Sequence, residues 1–191
     1  MYNTSKNGII IKYHEVKEVK IMKTYADVLI VIDLQNGVCY SREHLFDLQN
    51  LLTKVNNRIS LYRELHKPII FVQHCDEELV PEEELWAINA ELNVQEHDFF
   101  VRKTHGNSFF NTNLKDLLDQ LAVNRIEFCG AQTKYCMDAT IKFAHGLGYE
   151  NFMVQKATST LNNTFMSAKE TINFYENIWN HRFLKLIEDE S

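Results

Sequence analysis

No apolar run in this chain approaches the roughly 20 residues that a bilayer-crossing helix requires. A soluble protein is therefore expected. The opening residues lack the charged, apolar and small-residue regions of a secretory signal, and the four cysteines, Cys39, Cys75, Cys129 and Cys136, include no CxxC pair. A reducing cytoplasm is the expected compartment. No run of Lys and Arg is long enough to reverse a net charge of −6, so neither nucleic acid nor an anionic membrane is an expected partner. Small molecules fit better. Internal repeats and low-complexity tracts are absent as well. What remains is 191 residues, 45% of them hydrophobic, enough for one well-buried domain and too few for two comfortable ones.

The chain alternates between two kinds of segment. Tyr25–Asp33, Pro68–Gln73, Phe99–Lys103, Arg125–Cys129 and Asn151–Gln155 are short, apolar and rich in β-branched or aromatic residues, the pattern of buried strands. A sixth strand is expected at Phe183–Ile187. Between them, in Arg42–His66, Asn113–Leu121, Tyr135–Leu147 and Ser167–Asn180, apolar residues recur three or four apart with charges in the gaps. These read as amphipathic helices. Strands alternating with helices predict a doubly wound α/β domain, a parallel sheet covered on both faces.

Two segments break the rhythm. Cys75 to Asp98 is a long acidic connection, well beyond the usual two to six residues or so, and such loops often cover sites. Its acidic side chains read either as a solvated face or, if they ring a pocket entrance, as a preference for a cationic substrate. Residues 1–24 form an arm with two weakly alternating stretches, Ile9–Tyr13 and Val16–Ile21, ahead of a second methionine, Met22. They are either an added strand-like arm or a stretch preceding the natural start; residues 25–191 form the domain.

In doubly wound sheets the ligand sits beyond the carboxyl ends of the strands. There the first strand ends in Asp33, the third in Lys103, and the fourth leads through a Gly-Ala turn to Cys136, at the start of a helical segment. Taken singly, Asp33 reads as a cap or turn residue, Lys103 as a solvated charge and Cys136 as a small buried residue. Together they form a reactive set. A free thiol with a pKa near 8.5 is only about 3% thiolate at pH 7, so a nucleophilic cysteine needs activation. A helix N-terminus and Lys103 favour the thiolate, while Asp33 is placed to accept the thiol proton and return it to a leaving amine. Backbone N–H groups around Gln132–Cys136 are expected to meet the tetrahedral oxyanion.

Three blocks, Val-Ile-Asp33-Leu-Gln-Asn-Gly, Val-Arg-Lys103-Thr-His-Gly-Asn-Ser-Phe-Phe and Cys-Gly-Ala-Gln-Thr-Lys-Tyr-Cys136-Met-Asp-Ala-Thr, occur in order. They resemble the signature blocks of the isochorismatase-like cysteine hydrolases, over roughly residues 25 to 188. The resemblance implies a three-layer α/β/α fold with a six-stranded parallel sheet in the order 3-2-1-4-5-6. It implies an Asp33-Lys103-Cys136 triad working through a thioester, a cis peptide at Ala131-Gln132 and oxyanion donors from Gln132 and Cys136. True isochorismatases cleave a vinyl ether and lack the cysteine, so Cys136 argues for amide or carbamoyl hydrolysis. The Asp-x-His metal motif of the nicotinamidases is replaced here by Gln73-His74-Cys75-Asp76, so neither metal nor other cofactor is expected; His74 and Asp76 alone are a weak ligand pair.

The substrate contacts expected are Gln35, His74, Trp86, Thr133 and Tyr135; Trp86 reads equally as a packing anchor, Thr133 and Tyr135 as caps of the following helix, and His74 as a strand-end side chain hydrogen-bonded near the site. Phe109 and Phe110 resemble family pocket or interface positions, with ordinary core burial as the plainer reading. The resemblance further implies a homo-oligomer, a dimer or larger, with exposed apolar positions on the Tyr135–Leu147 and Ser167–Asn180 helices as its contacts. Two other functions stay open: a non-catalytic binding or assembly module with the same fold, and a peroxide-responsive thiol.

Overall fold

Five consecutive apolar residues leave the first strand no polar face to turn toward water. In the computed structural model, which describes residues 26–40 and 43–188, that strand, β1 (Val28–Ile32), is buried at every position in the middle of the sheet. Around it lie β2 (Ile69–His74), β3 (Phe99–Lys103), β4 (Arg125–Ala131), β5 (Glu150–Val154), the two-residue β6 (Thr158–Ser159) and β7 (Lys185–Ile187). The main path runs β3-β2-β1-β4-β5-β7, with β6 paired to the end of β4, and every pairing is parallel. This is the expected doubly wound α/β fold and strand order, lengthened by β6, so that the sixth expected strand is the seventh in the chain. The arm at 1–24, with Met22, lies outside the described residues.

The helices are α1 (Asn36–Cys39), α2 (Leu48–Glu64), α3 (Leu114–Gln120), α4 (Asp138–Gly146) and α5 (Ala168–Trp179). Apolar spacing along α2 buries Leu48, Leu51, Leu52, Val55 and Ile59 in the core. The same helix buries a charge. Arg58 grips Glu127 of β4 with two hydrogen bonds of 2.6 and 2.7 Å, and the Tyr62 hydroxyl donates to the same carboxylate at 2.9 Å. At α5 the Ser167 hydroxyl accepts from the Glu170 N–H and the Glu170 carboxylate accepts from the Ser167 N–H, a reciprocal cap that starts the helix where its sequence places it.

Most element ends differ from expectation by a residue or more, and three of these differences stand out. Arg42, where the first helix was expected to start, lies outside the described residues; α2 begins at Leu48, because the N–H groups of Leu45 and Phe46 are taken by the carbonyls of Cys39 and Thr160, and Asp47 has a left-handed backbone. β4 continues two residues past Cys129, to Ala131. There Gly130, at φ 130°, passes so close to β1 that any Cβ would collide with the Ile32 backbone. The helix expected from Tyr135 starts instead as a π-helical turn, Thr133–Met137, and becomes α-helical at Asp138. Wide turns of this kind often occur at functional sites.

Candidate active site

The ends of four neighbouring strands bring the chemistry together. Asp33 follows β1 directly, its N–H donating to Val72 of β2 at 2.9 Å and its backbone left-handed at φ 52°, which turns the chain off the sheet. His74 and Lys103 are register partners at the ends of β2 and β3. Cys136 arrives from β4 through the π turn, whose Tyr135 and Met137 N–H groups both donate to the Gln132 carbonyl, at 3.0 and 3.3 Å. The Ala131–Gln132 peptide is cis, at the position the resemblance implied.

Lys103 is the hub. Its ammonium lies 2.7 Å from Asp33 Oδ2, 3.0 Å from His74 Nδ1 and 3.3 Å from Cys136 Sγ. Asp33 and Lys103 are both buried, and Asp33 Oδ1 is a buried acceptor without a hydrogen-bond partner. Burial pushes the Cys136 thiol up to about 12, helped by the Asp33 carboxylate and opposed by Lys103. The helix N-terminus and Lys103, both expected to favour the thiolate, act against this burial. Desolvation outweighs them, and the resting sulfur is a thiol beside an open proton acceptor. Burial and the Lys103 charge together hold His74 below its usual value, so the imidazole is neutral near pH 7.

A cleft of about 320 Å³ opens over these groups, large enough for a small molecule. Asp33, His74, Gln132 and Cys136 form its chemical side; Gly37 and Val38 of α1 and Asp76, Glu78 and Leu79 of the acidic connection form its wall, with Tyr135 exposed at the mouth. Asp33, His74 and Cys136 offer possible ligand atoms within 4.8 Å of one another, a set that would suit a small cation. The Lys103 ammonium already contacts all three residues. A fixed unit charge thus occupies the place where a metal would bind, and the residues fit an ion pair better than a metal centre.

Of the expected substrate contacts, His74 and Tyr135 line the cleft and three others do not. Gln35 is fully buried, and its amide is spent on the backbone: Nε2 donates to the carbonyls of His74 (3.0 Å) and Trp86 (2.9 Å), and Oε1 accepts from the His74 N–H (2.7 Å). Thr133 is buried against Thr158, hydroxyl to hydroxyl at 3.0 Å. Trp86 packs away from the cleft, its Nε1 donating to Cys75 Sγ at 3.2 Å and its ring covered by the Arg102 guanidinium at 4.8 Å. Phe109 is core, stacked on Tyr149, while Phe110 is half exposed against His105. The wall residues Gly37, Val38, Glu78 and Leu79 were not anticipated, because no local pattern marks which part of a long loop folds back onto the sheet.

The isochorismatase domain model matches residues 27–176. YddQ of Bacillus subtilis, named as an isochorismatase family protein, is 31% identical over 140 residues, covering 69% of this chain and 77% of its own. Over a shorter stretch of 88 residues, ureidoacrylate amidohydrolase RutB of Agrobacterium fabrum is 32% identical, covering 46% of this chain and 39% of that one. A crystal structure described as an isochorismatase family protein superposes with a TM-score of 0.82 at 46% identity, covering 84% of this chain and 96% of the other. A domain match spanning most of the described chain, on the fold and strand order that its sequence predicts, makes this protein a member of the isochorismatase family.

Proposed function

We propose that this hydrolase cleaves a small-molecule amide or carbamoyl C–N bond through a thioester on Cys136. One observation carries the reading: a single buried ammonium touches both Asp33 and the Cys136 sulfur. As the sulfur attacks the carbonyl carbon, its proton passes to Asp33, whose Oδ1 is open to receive it. The carbonyl π electrons move to oxygen, and the N–H groups of Gln132 and Cys136 stabilise that oxyanion. Collapse expels the nitrogen, which takes the proton back from Asp33 and leaves as an amine or ammonia. Water, deprotonated by Asp33, then attacks the thioester carbon and releases the acid product and the thiol. Lys103 keeps a positive charge beside the sulfur and the carboxylate throughout. RutB, an amidohydrolase by name, supports the reaction class.

Burial of the Cys136 sulfur, which pushes its thiol up, would equally suit a second reading, a binding module with an inert cysteine. Incubation with a panel of amides, lactams and carbamoyl compounds separates the two. Intact mass spectrometry is expected to show an acyl adduct on the wild-type protein, and Cys136→Ala is expected to lose adduct and turnover together. Hydrolysis that survives in Cys136→Ala would sink the proposal; a wild-type protein that binds these compounds without turnover would establish the module.

A further inference from the structure

We infer that His74, steadied by Asp76, is a positioning residue for Lys103: its imidazole Nδ1 accepts a hydrogen bond from the third ammonium N–H, leaving the other two aimed at Asp33 and Cys136. An ammonium has three N–H donors and no acceptor. Around Lys103 stand three acceptors, Asp33 Oδ2 at 2.7 Å, His74 Nδ1 at 3.0 Å and Cys136 Sγ at 3.3 Å. Nδ1 must therefore carry its lone pair, and the neutral ring carries its proton on Nε2. That nitrogen lies 3.4 Å from Asp76 Oδ2. Asp76 is itself held, since its Oδ1 accepts the N–H groups of Glu78 and Leu79 at 2.9 and 2.7 Å. The His74 backbone is pinned on both sides by the buried Gln35 amide. A continuous set of contacts thus runs from the acidic connection through Asp76 and His74 to the ammonium.

Direction is what the imidazole supplies. Without it, one Lys103 proton faces the cleft, and water or a substrate oxygen can draw the ammonium away from the sulfur. A displacement of about 1 Å at a reacting group is enough to cost on the order of 100-fold in rate. Neutrality of the ring matters too, and burial with the adjacent ammonium favours the uncharged form. His74 is thereby assigned to the lysine, not to substrate recognition.

The turnover arm of the test rests on the proposed hydrolysis; the second arm does not. His74→Ala is expected to lower kcat roughly 10- to 100-fold with KM changed less than about threefold, and to slow iodoacetamide alkylation of Cys136 at pH 8, read by peptide mass apart from Cys75. His74→Asn, whose side-chain carbonyl can stand in for Nδ1, is expected to recover most of both rates. Asp76→Asn keeps an oxygen for the Glu78 and Leu79 N–H groups and is expected to fall between wild type and His74→Ala. Wild-type rates in His74→Ala overturn the inference, and so does an Asn variant no better than Ala in both measurements. If the Ala variant does not fold, His74→Asn and Asp76→Asn decide alone, and wild-type values in both overturn it. Should Cys136→Ala retain hydrolysis, the proposed reaction fails while the alkylation rates still judge His74.

Discussion

Removing one member of a buried ion pair is far worse than removing both, because the survivor keeps the desolvation cost and loses its compensation. Lys103 and Asp33 are such a pair, 2.7 Å apart and almost fully buried. Lys103→Met is therefore expected to abolish turnover and to destabilise the fold by roughly 3 to 5 kcal/mol. The double variant Asp33→Asn/Lys103→Met is expected to regain most of that stability and none of the activity. Urea denaturation of the three proteins, with turnover measured in parallel, checks both halves; a single variant as stable as wild type would show that the pair is not the compensated unit described. At this scale the sequence was informative about identity. A carboxylate and a lysine at strand ends, and a cysteine on the turn that follows another strand, could be picked out from their positions alone. The protonation state of Cys136 could not, since it depends on how much water the folded chain excludes from the sulfur.

Secondary elements were legible wherever their apolar spacing was regular, as in α2, α3 and α5, and their ends were blurred wherever distant backbone groups compete for the terminal N–H groups, as at Leu45 and Phe46. The attachment of α2 to the sheet illustrates a feature that spacing hides. Arg58 occupies a core-facing position on this helix, and only its meeting with Glu127, 69 positions away, explains a charge there. Arg58 makes two short bonds to a carboxylate that also accepts from Tyr62, so Arg58→Met removes the cation that compensates the buried Glu127 carboxylate. A loss of roughly 3 to 5 kcal/mol is expected, against about 1 kcal/mol for Tyr62→Phe. Denaturant midpoints give the comparison, and equal losses would show that the guanidinium contributes no more than an ordinary hydrogen bond.

At the scale of the whole molecule, function depends on how a long connection is seated on the sheet. The acidic segment is laid across α1 by backbone hydrogen bonds from Asn36 to Ala87 and from Gly37 to Leu85, at 2.9 and 2.8 Å. Gly37 makes the close approach possible: a Cβ there would come within 2.6 Å of Leu79 Cδ2 and 3.2 Å of Leu85. Gly37→Val is expected to lift this wall from the cleft, raising KM several-fold, roughly 1 kcal/mol, while kcat falls less. Steady-state kinetics distinguish that from damage at the proposed Asp33-Lys103-Cys136 triad, where kcat would fall first. Among the described residues, no helix is long and apolar enough to cross a membrane.

The sequence by itself determined the fold class and the chemical inventory. Short apolar runs alternating with amphipathic ones argue for a covered parallel sheet, and Asp33, Lys103 and the turn carrying Cys136 mark its functional edge. It took the tertiary structure to bring Lys103 against all three of its neighbours, to spend the Gln35 amide and the Thr133 hydroxyl on protein partners, to set Trp86 against Cys75, and to bury the Cys136 sulfur. The reason is one of range. Periodicity and turn chemistry act over a few residues, whereas Asp33 and Lys103 meet across 70 positions through the register of three strands. Register and loop seating are sums over contacts between distant segments, and only the folded chain evaluates them.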